Sequence, residues 1–303
     1  NKKIKKTLVG VSLVMNLGLL GFFKYFNFFA DSLVDLFKVI GFSPDEVTLN
    51  IILPVGISFY TFQTLSYTID VYRNKIEPSN SMVQFLSYVS FFPQLVAGPI
   101  ERASNLLPQF QKKRSFKYEM AADGMRQMLW GFFKKVVVAD NCAVFVNDAF
   151  NNPMGSSSGE LFIGMIFFAF QLYGDFSGYS DIAIGSAKLF GFNLKQNFAF
   201  PYFARDIAEF YRRWHMSLTN WFKDYVYFPL GGSRKGLKIS IRNVFIIYLI
   251  SGFWNGANWT FIFWGFLNAL YYVPLMLSKR HRRNLEVVAA NSFLPSLREF
   301  YAI

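Results

Sequence analysis

The sequence predicts an all-α, polytopic transmembrane helical bundle with re-entrant or broken helices, and three observations point to it. Hydrophobic residues make up 53% of the 303, aromatics 20% with 38 Phe, and charged residues only 17%, against about 25% charged in ordinary globular domains. Three stretches of 21 residues or more carry no charge at all. The basic residues gather in clusters between such stretches instead of covering one face.

Taken in order, the elements follow from how long each apolar run is. A spanning helix needs about 20 mostly apolar residues. Thr7 to Ala30 is interrupted only by Lys24, and with Lys2, Lys3, Lys5 and Lys6 before it and no small-residue cleavage site after it, it reads as an uncleaved span. Asp31 to Phe42 is too short to cross. Val47 to Ile69, 23 residues, is a second expected span. Asn80 to Ile100 is uncharged too, but Pro93, Gly98 and Pro99 break it, so a re-entrant segment is expected there. That fits the five Lys and Arg between Glu101 and Tyr118, which strict alternation of spans would place on the wrong side. "NNPMGSSSG" at Asn151 to Gly159 is a polar loop. Asn243 to Ser278 runs 36 residues without charge. As one helix it would measure about 54 Å, well beyond a hydrocarbon core of about 30 Å. It is expected to break at its polar centre, Ser251 to Thr260.

The 31 Lys and Arg against 19 Asp and Glu give a net charge of +12. Clusters at Lys112 to Lys117, Arg234 to Arg242 and Lys279 to Arg283 follow the positive-inside pattern of cytoplasmic loops beside anionic lipid, which argues against a nucleic-acid face. A single cysteine, Cys142, can form no internal disulfide. There is no P-loop, no G-x-S-x-G elbow and no Cys or His cluster with metal spacing, so no metal site is expected.

Polar side chains inside apolar segments are functional candidates because lipid makes them costly. In "QLYGDFSGYSDIAIGSAKLFGF", Gly174 and Gly178 have the spacing that lets a neighbouring helix approach closely. Asp175 and Asp181 stand six apart, on different helix faces, and read as structural partners within the bundle. "RDIAEFYRRWHMSLTNWFKDYVYFP" reads as an amphipathic helix on which Glu209 can neutralise Arg212 and Arg213. It also carries His215 between Trp214 and Trp221, and histidine is the side chain most readily tuned for proton transfer near neutral pH. In "SGFWNGANWT", Asn255 and Asn258 are expected to face a cavity or another helix.

These motifs, together with "YTFQTLSYTIDVYR" and "FFPQLVAGPIER", resemble the membrane-bound O-acyltransferase family, in particular its bacterial alginate O-acetyltransferase membrane subunits and teichoic-acid D-alanyl transferases. The matches run in order over roughly residues 55 to 275, within one expected domain spanning 1–303 that looks like the core of a longer protein. The resemblance implies an acyltransferase of the bacterial cytoplasmic membrane, with no bound cofactor. It would pass an acyl group from a cytoplasmic thioester such as acetyl-CoA toward an exported polysaccharide or an extracytoplasmic acyltransferase partner. It maps the family's first histidine onto His215. The second, regarded as catalytic, falls on Asn255, where this chain reads Trp254, Asn255, Gly256. Trp214, Trp221, Trp254 and Asn258 are then candidates to line the cavity.

The departure matters because acyl transfer to a hydroxyl calls for a base, and a carboxamide has no basic nitrogen near neutral pH. Three accounts stay open: His215 is the sole base, the chain is an inactive variant, or it is a non-catalytic subunit scaffolding an export complex. A transporter would explain broken helices and intramembrane polar groups as well, but not the motif order.

Overall fold

A computed structural model describes residues 2–42, 49–289 and 295–303. Its helices in chain order are α1 (Lys2–Leu20), α2 (Phe26–Val39), α3 (Ile57–Tyr72), α4 (Met82–Val89), α5 (Phe92–Leu95), α6 (Ala103–Gln111), α7 (Tyr118–Phe132), α8 (Asp140–Asn151), α9 (Ser158–Leu189), α10 (Ile207–Arg213), α11 (Met216–Phe222), α12 (Leu237–Asn255), α13 (Trp259–Leu277) and α14 (Leu297–Ala302). Single π-helical stretches join α1 to α2 (Gly21–Tyr25), α7 to α8 (Phe133–Ala139) and extend α11 (Lys223–Tyr227). Among the described residues there is no strand, and four helices are long and apolar enough to cross a membrane: Lys3–Val39, Ser158–Leu189, Leu237–Asn255 and Trp259–Leu277. The protein is a helical membrane protein.

Three expectations need correcting. The first span does not stop at Ala30, because helix continues through the π-helical stretch to Val39 and takes in most of the segment judged too short to cross. Of Val47 to Ile69, the first two residues lie outside the described residues, and the remainder forms no span: Pro54 and the left-handed Gly56 hold the chain out of helix until Ile57, leaving α3 at 16 residues. The stretch Arg205 to Pro229 is not one helix either. It breaks at His215, whose backbone is left-handed (φ 42°). Two breaks fall where the sequence places them. Asn80 to Ile100 divides into α4 and α5, with Pro93 in the first turn of α5, where a missing N–H costs nothing. The 36-residue run parts between Asn255 and Trp259.

The chain forms two compact units, residues 79–198 and residues 1–78 with 199–303. In the first, α9 starts from a capping box at Ser157 and Glu160 and packs against α7, α8 and the π-helical stretch between them. Gly178 permits this: a Cβ there would meet the Gly131 carbonyl at 2.8 Å and the Lys135 amide at 3.1 Å. The π-helical stretch also presents two successive lysines to different acids. Lys134 pairs with Asp181 and hydrogen-bonds Ser177 Oγ at 2.9 Å, while Lys135 reaches Asp175 and Asp140, each at 2.7 Å. Asp181 accepts a further bond from Gln127 at 2.9 Å.

In the second unit α12 and α13 fold back on each other, with Gly252 and Gly265 at backbone-to-backbone contact. Their core of Val244, Tyr248, Ala269 and Met276 extends to Tyr211 of α10, whose hydroxyl donates to Asn268 at 2.7 Å. Leu20, Tyr25 and Ile57 form a second core, packed on Phe253 and Trp254 at the end of α12.

Candidate functional site

The break between α12 and α13 is built from residues whose preferences oppose helix. Gly256 takes an extended conformation (φ −163°) and ends α12. Asn258, also extended, caps α13 by accepting from the Thr260 amide and hydroxyl at 2.9 Å each. Its carboxamide oxygen is therefore engaged by the helix it starts. Asn255, the last residue of α12, is exposed.

Breaking a helix leaves carbonyls without intrahelical partners, and in an apolar setting they need others. The π-helical stretch near the N-terminus supplies them. Tyr25 Oη donates to the Phe253 carbonyl at 3.0 Å, and Lys24 Nζ donates to the Trp254 carbonyl at 2.5 Å and to Ser58 Oγ at 3.2 Å. The Tyr25 ring stacks on Phe253 at 4.1 Å, and the Lys24 ammonium lies 5.2 Å from the Trp254 ring centroid. Cations at a helix C-terminus are favoured by its dipole.

A second brace comes from α3. Phe62, almost fully buried, stacks on Trp254 (3.6 Å between centroids, 8° between planes) and on Trp221 (4.0 Å, 20°). Trp221 Nε1 donates to the Phe62 carbonyl at 3.1 Å. Further along, Tyr225 Oη donates to the buried Asp70 carboxylate at 2.5 Å. The motif holding Trp254 and Asn255 is thus joined to the one holding His215 and Trp221 through one ring on a third segment. Phe62 and Asp70 belong to "YTFQTLSYTIDVYR" and Lys24 is the one charge in its apolar run. The sequence singles out the motif and the charge, but not these contacts.

Trp214 packs on Phe210 (5.5 Å, 15°) and Tyr202 (6.2 Å). Glu209 is buried and bonds Arg213 at 2.6 Å and Arg205 at 3.0 Å. Burial pushes its carboxyl up, and the hydrogen bonds from Arg205 and Arg213 outweigh that and hold it below the usual range. The expected Glu209–Arg212 pair does not form. Arg212 donates to the carbonyls of His281 (3.1 Å) and Asn284 (2.7 Å), because Arg205 from the preceding turn already shares Glu209 with Arg213.

His215 caps α11 with its left-handed backbone, its ring buried and Nδ1 3.4 Å from Ser217 Oγ. Histidine is among the few residues that tolerate this conformation. Burial lowers its pKa to about 3, so the imidazole is neutral throughout the physiological range. The unfolded chain binds a proton on this group below about 6.5 while the folded one does not until about 3, so stability falls as pH drops through that window. The loss from this site reaches at most roughly 5 kcal/mol. His215→Asn keeps the backbone preference and removes the titration, so its thermal midpoint should fall less than the parent's between pH 7 and pH 4. Parallel curves would remove this role from His215.

A family model, MBOAT, membrane-bound O-acyltransferase family, matches residues 76–294. The chain is 43% identical over 260 residues to the probable alginate O-acetylase AlgI of Pseudomonas putida, covering 85% of this chain and 52% of that protein. It is 41% identical over 286 residues to the peptidoglycan O-acetyltransferase of Helicobacter pylori (86% and 53%). Similarity to the teichoic acid D-alanyltransferase of Bacillus subtilis is 26% over 248 residues (77% and 60%). The chain thus spans about half the length of the first two.

Proposed function

Because the chain belongs to the membrane-bound O-acyltransferase family, we propose that it is the core of an enzyme of the bacterial cytoplasmic (inner) membrane that moves an acetyl group from a cytoplasmic thioester, such as acetyl-CoA, toward an exported polysaccharide. Either the glycan or an extracytoplasmic transferase takes the group. The observation that carries this reading is the helix break at Trp254–Asn255–Gly256, braced from two sides, by Lys24 with Tyr25 and by Phe62 with Trp221, at the place to which the resemblance assigns the family's catalytic histidine. Relatives acting on alginate, peptidoglycan and teichoic acid support a polymeric acceptor.

The acceptor hydroxyl attacks the thioester carbonyl carbon, the C–O bond forms, the C–S bond breaks, and the hydroxyl proton ends on the departing thiol. Asn255 orients the reacting groups and donates through its amide, but removes no proton. We assign to His215, whose left-handed backbone starts α11, the positioning of that helix and its Trp221. Such an enzyme turns over slowly. Purified protein given acetyl-CoA labelled in the acetyl group and a polymeric acceptor should transfer label to hydroxyls of that acceptor. Asn255 also favours a second reading, an inactive scaffold of an export complex. Under that reading no label moves, yet deleting the chain still abolishes polymer acetylation in cells.

A further inference from the structure

We propose that Lys24 is a catalytic residue of the acyl-transfer reaction, the cation that receives the negative charge developing on the thioester carbonyl oxygen. The inference deepens the transferase reading and rests on it. Lys24 is the only charge between Thr7 and Ala30, inside a helix long and apolar enough to cross a membrane. Among the described residues no carboxylate pairs with it. An ammonium so placed is costly unless something uses it. The helix is also π-wound at this point, Gly21–Tyr25, a distortion that recurs at functional sites because it redirects a side chain out of the regular ladder.

From this stretch Lys24 reaches the helix break. Of its three N–H donors, one meets the Trp254 carbonyl, the peptide oxygen just before Asn255, and one meets Ser58 Oγ. Capping α12 accounts for one donor and would be met by an uncharged amide. The α12 dipole favours a cation there, but capping leaves the third donor unassigned, and the residue is only partly buried. The rings of Tyr25 and Trp254 lie 5.6 and 5.2 Å from its nitrogen, and in such surroundings a fixed charge acts strongly on a carbonyl. As the hydroxyl oxygen bonds to the acyl carbon, the carbonyl π pair moves onto oxygen, and Lys24 donates a hydrogen bond to it. When the carbonyl re-forms the C–S pair leaves with sulfur, which takes the hydroxyl proton. Lys24 keeps its own proton throughout.

Two measurements test this. The first is the infrared carbonyl band of carbonyl-¹³C acetyl-CoA bound to the purified protein. It should lie at lower frequency than that of free acetyl-CoA, stay low in Lys24→Arg, and return toward the free value in Lys24→Gln. The second is kinetic. Lys24→Gln keeps an amide donor for the Trp254 carbonyl and should lose about 10²–10³-fold in kcat with KM for acetyl-CoA little changed, while Lys24→Arg recovers much of the rate. An unshifted band in the parent protein overturns the proposal without any variant. So does a Lys24→Gln enzyme with parental kcat, or one whose loss is all in KM. A shifted, Lys24-dependent band without transfer to any acceptor shows that Lys24 polarises the bound thioester but defeats the transferase reading, and the catalytic role falls with it.

Discussion

Asn255→His is expected to raise the rate of acetyl transfer by about 10²–10⁴-fold, the usual contribution of a positioned general base. The substitution is structurally cheap. Asn255 is exposed, and it ends α12 just before the chain leaves the helix, so an imidazole at this position displaces no packed group. The two braces act on its neighbours: Lys24 and Tyr25 hold the carbonyls of Trp254 and Phe253, and Phe62 holds the Trp254 ring. The new side chain would therefore enter a backbone already held in place. The gain should appear in kcat with KM for acetyl-CoA nearly constant, because a base acts on the transition state and not on donor binding. It should also bring a rate that rises with pH through the imidazole's pKa, which the parent lacks. A parent with no measurable transfer and an active Asn255→His would establish that the parent is an inactive variant. An inactive Asn255→His would mean that position 255 does not face the reacting hydroxyl.

How much of this was legible in the sequence depends on the distance over which each feature is set. The break near Asn255 was legible because a 36-residue uncharged run exceeds what one bilayer crossing can hold, and its Gly and Asn residues mark the place. The loop before α9 was legible from local turn composition, and Ser157 with Glu160 then caps the helix. Val47 to Ile69 misled because absence of charge is a statement about solvent, whereas Pro54 and Gly56 act on the backbone and end the run as a helix. Arg212 misled for a related reason. The i, i+3 spacing allows a pair with Glu209, but Arg205, closer to that carboxylate in the fold, already occupies it. The triple stack was not legible at all. With 38 Phe in the chain, nothing local distinguishes Phe62, whose partners lie about 160 and 190 residues further along. Lys24 was visible as an anomaly, a charge in an apolar span, though its target at Trp254 was not.

Phe62→Ala should then destabilise the protein by about 3–5 kcal/mol, the range for removing a buried aromatic ring, and should cut transfer by more than the lost stability explains. The ring carries two stacked contacts, each adding about 0.5–1.5 kcal/mol beyond burial, and it is almost fully buried, so little relaxation from solvent is available. Removing it also frees the two tryptophans that tie the Asn255 motif to α11. Trp221 would keep its bond to the residue 62 carbonyl, so α11 should stay docked while Trp254 loosens. The thermal midpoint in detergent reports the stability loss, and tryptophan fluorescence should show a more exposed environment for Trp254 in a background where the other five of the six tryptophans are Phe. Phe62→Leu separates volume from stacking: it should restore much of the midpoint but not the rate if the planar contact on Trp254 is what holds residue 255 in place. Full rate in Phe62→Leu would show that filling the space suffices, and an unchanged midpoint in Phe62→Ala would show that the stack bears no load in the folded protein.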